Sequence, residues 1–313
     1  MNVYCKTASA VIVAGAIASF GGKTSAQESH IVPIFEFYHG DNVFGGTTAD
    51  RIFRGGIEVD TPDKIRATSD TVRSVGALWL NAIRADLGNV PFTLSPVARH
   101  RSFLDSGEHS TVFGASMLFR FHEVQNDRVD LRATVARLNA SWTSDPIDNV
   151  SLRLGYRRTI ENGARLDFGL TGGWQSLATD GALSRTGIEA QYRDSFGEFD
   201  LTADARFNLR SSDVSGKSGH DVGLGLRLGR GIGLGQAYTQ LGVDWEEDLS
   251  ARSGQPAARS ETTTLAEIGY AVPLDASGLG RFTIYARQGR SDANVAIYDA
   301  TTNVFGIGLR LGF

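Results

Sequence analysis

Six histidines, His30, His39, His100, His109, His122 and His220, are the first side chains with chemical potential. His109 and Ser110 are adjacent, and Glu108 precedes them. A serine with a histidine and an acid has the composition of an activated nucleophile set. On a strand, however, adjacent side chains point to opposite faces, so this pair could meet only through a bend. His39, Asp41 and His100 converge only by a chain path that the sequence does not reveal. Hydrolysis therefore ranks third among the readings, and no catalytic residue is assigned. DPIDN at 145–149 and SDANVAIYDATTN at 291–303 are rich in Asp and Asn. Calcium takes about six to eight oxygens. Neither stretch has that spacing, and ordinary turn chemistry explains both. The one cysteine, Cys5, lies ahead of an apolar N-terminal run. Downstream of that run there is no disulfide framework, no thiol nucleophile and no cysteine-bound metal. No cofactor or metal site is expected.

The rest of the chain is organised by a period of two. In 198–210, Phe199, Leu201, Ala203, Ala205, Phe207 and Leu209 alternate with Asp200, Thr202, Asp204, Arg206, Asn208 and Arg210. The pattern recurs in 164–175, in 222–229 and in 302–313. A helix would scatter these charges around its circumference, so the period selects strands. Counted back from the C-terminus, strands are expected near 302–313, 279–289, 261–272, 235–247, 219–229, 198–210, 184–193, 163–175, 148–158, 128–141, 109–122, 89–99, 71–84 and 50–59. That is about fourteen, with a range of twelve to sixteen. Connections on one side are longer than on the other, the usual asymmetry of membrane barrels. Trp142, Trp174 and Trp245 fall near one end of their strands, and Tyr156, Tyr192 and Tyr270 near the other. Such rings mark the headgroup level.

Three further features fit export to an outer membrane. Residues 1–26 read as a signal peptide, with one Lys, an apolar run from Ala8 to Phe20, and Thr24-Ser25-Ala26 as the cleavage site. No later segment has 18 consecutive apolar residues, so helical spans are not expected. Mean hydropathy is −0.15, which a barrel tolerates because only alternate residues meet lipid. Glycine is high at 37 and proline low at 7, as long strands and tight turns require. A net charge of −4 with no basic cluster argues against nucleic acid. The expected class is all-β: a transmembrane antiparallel up-and-down barrel over 50–313. Residues 27–49 would be a periplasmic lead-in, a plug or an extra strand.

Alternation assigns a charged inner face: Arg153, Arg157, Arg165, Asp167, Glu189, Asp200, Asp204, Arg206, Arg210, Arg227, Asp244, Glu267 and Arg310. These side chains would line a selective polar pore. Alternatively, they would form an internal salt-bridge network that fills a narrow barrel, since charges in a low-dielectric lumen need partners. The near balance of signs favours the second.

The chain ends NVFGIGLRLGF, with Phe305, Ile307, Leu309, Leu311 and Phe313 on one face. This resembles the signal by which outer-membrane barrels engage the barrel-assembly machinery. The last hairpin, through Ser291, Asn294, Tyr298, Asp299, Asn303, Val304, Gly306, Leu309 and Phe313, resembles the C-terminal barrel of the surface lipoprotein assembly modulator (Slam) family. The Asp41-Asn42-Val43-Phe44 stretch is loosely similar to the start of such barrels. The resemblance covers about 25 residues closely and the rest only in architecture. It implies a barrel assisting translocation or surface assembly of an exported protein client. The family's N-terminal helical-repeat domain has no counterpart in this sequence. A passive, porin-like channel for small polar solutes is the alternative. The expected surroundings are outer-membrane lipid.

Overall fold

The computed structural model describes residues 29–42, 51–54, 57–60 and 68–311, with breaks at 89, 125, 142, 144, 161–162, 178–180, 253–254 and 276–278. The expected signal peptide, Trp142 and Phe313 lie outside the described residues.

The described residues are nearly all strand. In order these are β1 (His30–Gly40), β2 (Arg51–Arg54), β3 (Ile57–Asp60), β4 (Asp70–Leu80), β5 (Ile83–Leu87), β6 (Val90–Phe103), β7 (His109–Val124), β8 (Asp127–Ala140) and β9 (Ile147–Thr159). Then come β10 (Arg165–Leu177), β11 (Gly181–Phe196), β12 (Phe199–Ser212), β13 (Gly219–Ile232), β14 (Gly235–Asp248), β15 (Ser260–Pro273), β16 (Arg281–Ala293) and β17 (Ala300–Arg310). From β6 to β17 each strand pairs antiparallel with its sequence neighbours. β1 then pairs with β17, from Ile34↔Arg310 to Gly40↔Val304, and with β4, from His30↔Leu80 to Gly40↔Asp70. β4 pairs with β6. The result is a closed wall of fourteen strands (β1, β4 and β6–β17), with β5 extending β4 along β6.

Of the three forms open for 27–49, residues 30–40 take the third: they are a strand, and it closes the ring. The expected strand at 50–59 is instead the small β2–β3 hairpin, a separate two-stranded sheet. Length decides between them. A membrane-spanning strand needs about 9–11 residues; β1 has 11, whereas β2 and β3 have 4 each. The mixed pattern of 71–84 also has a cause. The register with β6 moves from Leu78↔Val97 to Ile83↔Leu94, so residues 79–82 oppose only 95–96. Asn81 sits in this bulge with φ 50°, and its N–H donates to Ser95 Oγ at 3.1 Å. A bulge resets the alternation, so 71–84 does not keep one period of two along its length.

Both chain ends leave from one rim, where four hairpin connections have two residues (88–89, 125–126, 197–198 and 233–234). The opposite rim carries the long loops 41–69 and 249–259. The outer surface is an apolar belt. Phe113, Leu152, Leu170, Ile188, Leu226, Ile268 and Phe305 are all more than two-fifths exposed. Trp174 and Trp245 stand outward near the loop rim, and Tyr156 outward near the terminal rim. So large a continuous apolar surface is stable only in a lipid environment.

The closing seam is held on the inner face by Glu36 of β1. Its carboxylate accepts from the Tyr285 hydroxyl of β16 at 3.0 Å and pairs with the Arg99 guanidinium of β6. Arg99 Nε also donates to Ser74 Oγ of β4 at 2.6 Å. Through Glu36, β16, β1, β4 and β6 are tied together across β17. Tyr285 reaches it by lying across Gly306 of β17. A Cβ at Gly306 would stand 2.6 Å from the Tyr285 ring and 2.8 Å from Tyr38 Cβ.

Glu36→Ala leaves Tyr285 and Arg99 without their acceptor and should lower stability by about 1–3 kcal/mol. A lower urea midpoint for the barrel refolded in vesicles checks this. Glu198→Ala, in an exposed rim pair with Arg230, should change stability by less than about 1 kcal/mol. Gly306→Ala should destabilise like Glu36→Ala, whereas Gly172→Ala, which would meet nothing within 4 Å, should not.

Candidate functional site

The strands place the charged set opposite the apolar belt. On β9, Leu152 and Leu154 are exposed outward, so Arg153 and Arg157 face inward. Arg153 pairs with Glu189 and approaches Asp130 at 3.8 Å; Arg157 meets Asp167 at 2.6 Å. Arg206 meets Asp244 at 2.6 Å. Glu267 binds Arg287 at 2.5 Å and the Tyr238 hydroxyl at 2.9 Å. Arg227 lies 4.0 Å over the Tyr238 ring. Asp200 accepts from Ser195 at 2.6 Å and Gln236 at 2.5 Å. Among the described residues, Arg165, Asp204 and Arg310 form no ion pair. The inner face is thus partly a salt-bridge network and partly a set of free charges.

Several inward charges escaped the sequence reading. Arg132 on β8 and Arg185 on β11 are exposed to solvent on the inner face, with no ion pair among the described residues. Arg101 and Arg120 also face inward without a carboxylate, and their Nε atoms are buried and unbonded. All four stand at inward positions of their strands, so the alternation was sufficient to find them. Glu36 was not among the expected inward charges because 27–49 was left open between lead-in, plug and strand.

A second cluster closes the loop rim around Asp248. This carboxylate is fully buried and meets Arg210 at 3.1 Å, Arg259 at 3.3 Å and Arg252 at 3.5 Å. Arg210 also binds Glu246 at 2.6 Å and Asp221 at 3.7 Å. The cluster ties three loops together. Arg252 Nε donates to the Gly216 carbonyl at 3.1 Å, and Gln255 donates to the Tyr298 hydroxyl at 2.9 Å. Arg252 and Arg259 stack over Tyr298 at 5.2 and 4.8 Å. Burial pulls the Lys217 ammonium in this rim below its usual pKa, helped by the nearby Arg252 and Arg259 charges.

The histidine candidates do not assemble. Ser110 is 4% exposed and inward, while His109 is exposed on the other face, 6.1 Å ring to ring from His100. Glu108 accepts from Ser141, not from histidine. His100 Nδ1 bonds Thr111 at 2.9 Å, His39 Nδ1 bonds Thr71 at 3.1 Å, and Asp41 accepts from Asn303 at 2.6 Å. In the Asp/Asn-rich stretches, Asp148 pairs with Arg137 at 2.7 Å and Asp292 with Arg290 at 2.7 Å. Asp299 accepts the Ala293 N–H at 2.7 Å.

Closed wall, apolar exterior and charged interior define a membrane-spanning β-barrel. No family model and no curated protein matches the sequence. Among solved structures, it is similar to OccK1 (OpdK) of Pseudomonas aeruginosa, at 10% identity and TM-score 0.43, covering 91% of this chain and 99% of that one. It is also similar to OccAB1 of Acinetobacter baumannii, at 10% identity and TM-score 0.45, covering 94% and 98%. A third is OprD of Pseudomonas aeruginosa, at 10% identity and TM-score 0.42, covering 94% and 97%.

Asp248→Ala should release the rim, because three guanidinium groups lose their shared acceptor. Trypsin should then cut loop 249–259 at least severalfold faster, read as the appearance of the cleaved fragment. Lys217 should respond to pH. Its depressed pKa means that unfolding takes up a proton. Rim stability therefore rises as pH increases through the folded-state pKa towards about 10.5. Lys217→Met should slow cleavage at neutral pH and flatten this dependence.

Proposed function

We propose that the protein is a passive channel for small polar solutes across the bacterial outer membrane. The observation that carries this reading is the exposure of Arg132, Arg185 and Asp204 on the inner face without ion partners among the described residues. An unpaired charge in a dry interior costs several kcal/mol. These side chains are stable only where water reaches them, and a wetted, charged lumen open to solutes is a channel. Export through residues 1–26 and insertion by the barrel-assembly machinery through the last strand belong to the same reading. There Phe305 and Ile307 face outward. No bond chemistry is required of any residue.

The second reading is a translocation or surface-assembly barrel for a protein client, resting on the Slam-like last hairpin. Two of the residues behind that resemblance already have packing roles. Tyr298 anchors Gln255 and two arginines, and Gly306 makes room for Tyr285. Neither needs a client to explain it.

The mature chain refolded into a planar bilayer should show steady conductance that scales with salt concentration. A barrel that stays shut at all voltages, and opens only on addition of a secreted protein, would overturn the channel in favour of translocation.

A further inference from the structure

We propose that the channel favours small solutes bearing both an ammonium and a carboxylate, held crosswise between a basic and an acidic wall. The inference rests on the channel reading above and adds the solute class.

The charges that look balanced in the sequence are separated around the ring. Among the described residues, the inner face of β6–β11 carries ten arginines against four acids, Glu123, Asp130, Asp167 and Glu189. The inner face of β12–β15 carries eight acids against three arginines, Arg206, Arg210 and Arg227. Local ion pairs do not erase this separation. On the basic side, Arg101, Arg120, Arg132 and Arg185 have no carboxylate partner among the described residues. On the acidic side, Asp200 is bound only by the neutral Ser195 and Gln236, and Asp204 has no cation.

The free groups face one another. In the ring of fourteen, β12 stands six strands from β6 and five from β7. Asp200 and Asp204 lie in the half of the wall nearer the terminal rim, as Arg120 of β7 does, and look across the lumen towards it, whereas Arg101 stands near the loop rim.

Opposed charges across a water-filled passage with low-dielectric walls set up a field perpendicular to its axis. A simple anion gains at one wall and is repelled by the other, and a simple cation does the reverse. A dipolar solute aligned with the field gains at both. A neutral solute of the same size gains little. The effect falls with salt, because the Debye length is about 10 Å at 0.1 M.

Entry of alanine, lactamide and lactate into vesicles containing the full barrel tests this, since the three are nearly equal in size. At low salt alanine should enter faster than lactamide and lactate, on the order of tenfold. The advantage should shrink at 0.5 M salt. Asp200→Asn with Asp204→Asn should abolish it, with lactate entry kept or raised and conductance retained. These two residues hold no ion pair, so the variant should fold. Equal entry of alanine and lactamide through a conducting wild-type barrel overturns the dipolar preference and leaves the channel standing. Absence of entry by all three overturns both.

Discussion

The fold depends on one constraint: a strand in lipid cannot leave its N–H and C=O groups unpaired. Fourteen strands can satisfy that rule only if the first meets the last. The β1–β17 ladder does so, and the Glu36 cluster fixes it from inside by binding β16 on one side and β6 on the other. The tyrosines of this region follow from the same need. Tyr285 reaches Glu36 across Gly306, and Tyr238 reaches Glu267 across Gly269. Glycine at the position paired with each tyrosine on the neighbouring strand is what lets the ring lie flat against the wall.

The inner wall serves two ends with one residue type. Some arginines are structural, as when Arg153, Arg157 and Arg210 neutralise carboxylates that would otherwise stand unmatched on the inner face. Others have no such partner and depend on water. The distinction matters because a filled barrel and a channel can share a composition. What separates them is whether each charge is matched nearby. Here the matching is incomplete, and the remainder is sorted by side of the ring.

The loop rim is built differently from the lumen. Around Asp248 three arginines, Glu246 and the Tyr298 ring pack into a buried cluster that joins loops from three hairpins. Such a cluster stiffens the rim above β12–β17, next to the acidic wall. Loop position and lumen field are thereby linked through shared residues, since Arg210 belongs to both.

Most of the wall was legible because alternation is a local property. The expected strands from 109–122 onward lie within a few residues of β7–β17, and the count of fourteen agrees with the wall. One exchange lies within that count. Residues 30–40, left open between lead-in, plug and strand, supply the closing strand, and 50–59 forms the separate β2–β3 hairpin. Inward positions such as Arg153 and Asp204 were equally legible, since facing follows from parity along a single strand. Pairing between strands was not. Whether Arg206 meets Asp244 while Arg132 meets no carboxylate depends on register and on which strands are neighbours. The sequence by itself determined the strands, the apolar belt and the identity of the inward charges, because each follows from a period of two. Only the tertiary structure decided how the ring closes, which charges are matched and how the two signs divide across the lumen. Those depend on contacts between residues as far apart as Glu36 and Tyr285, and no local pattern encodes them.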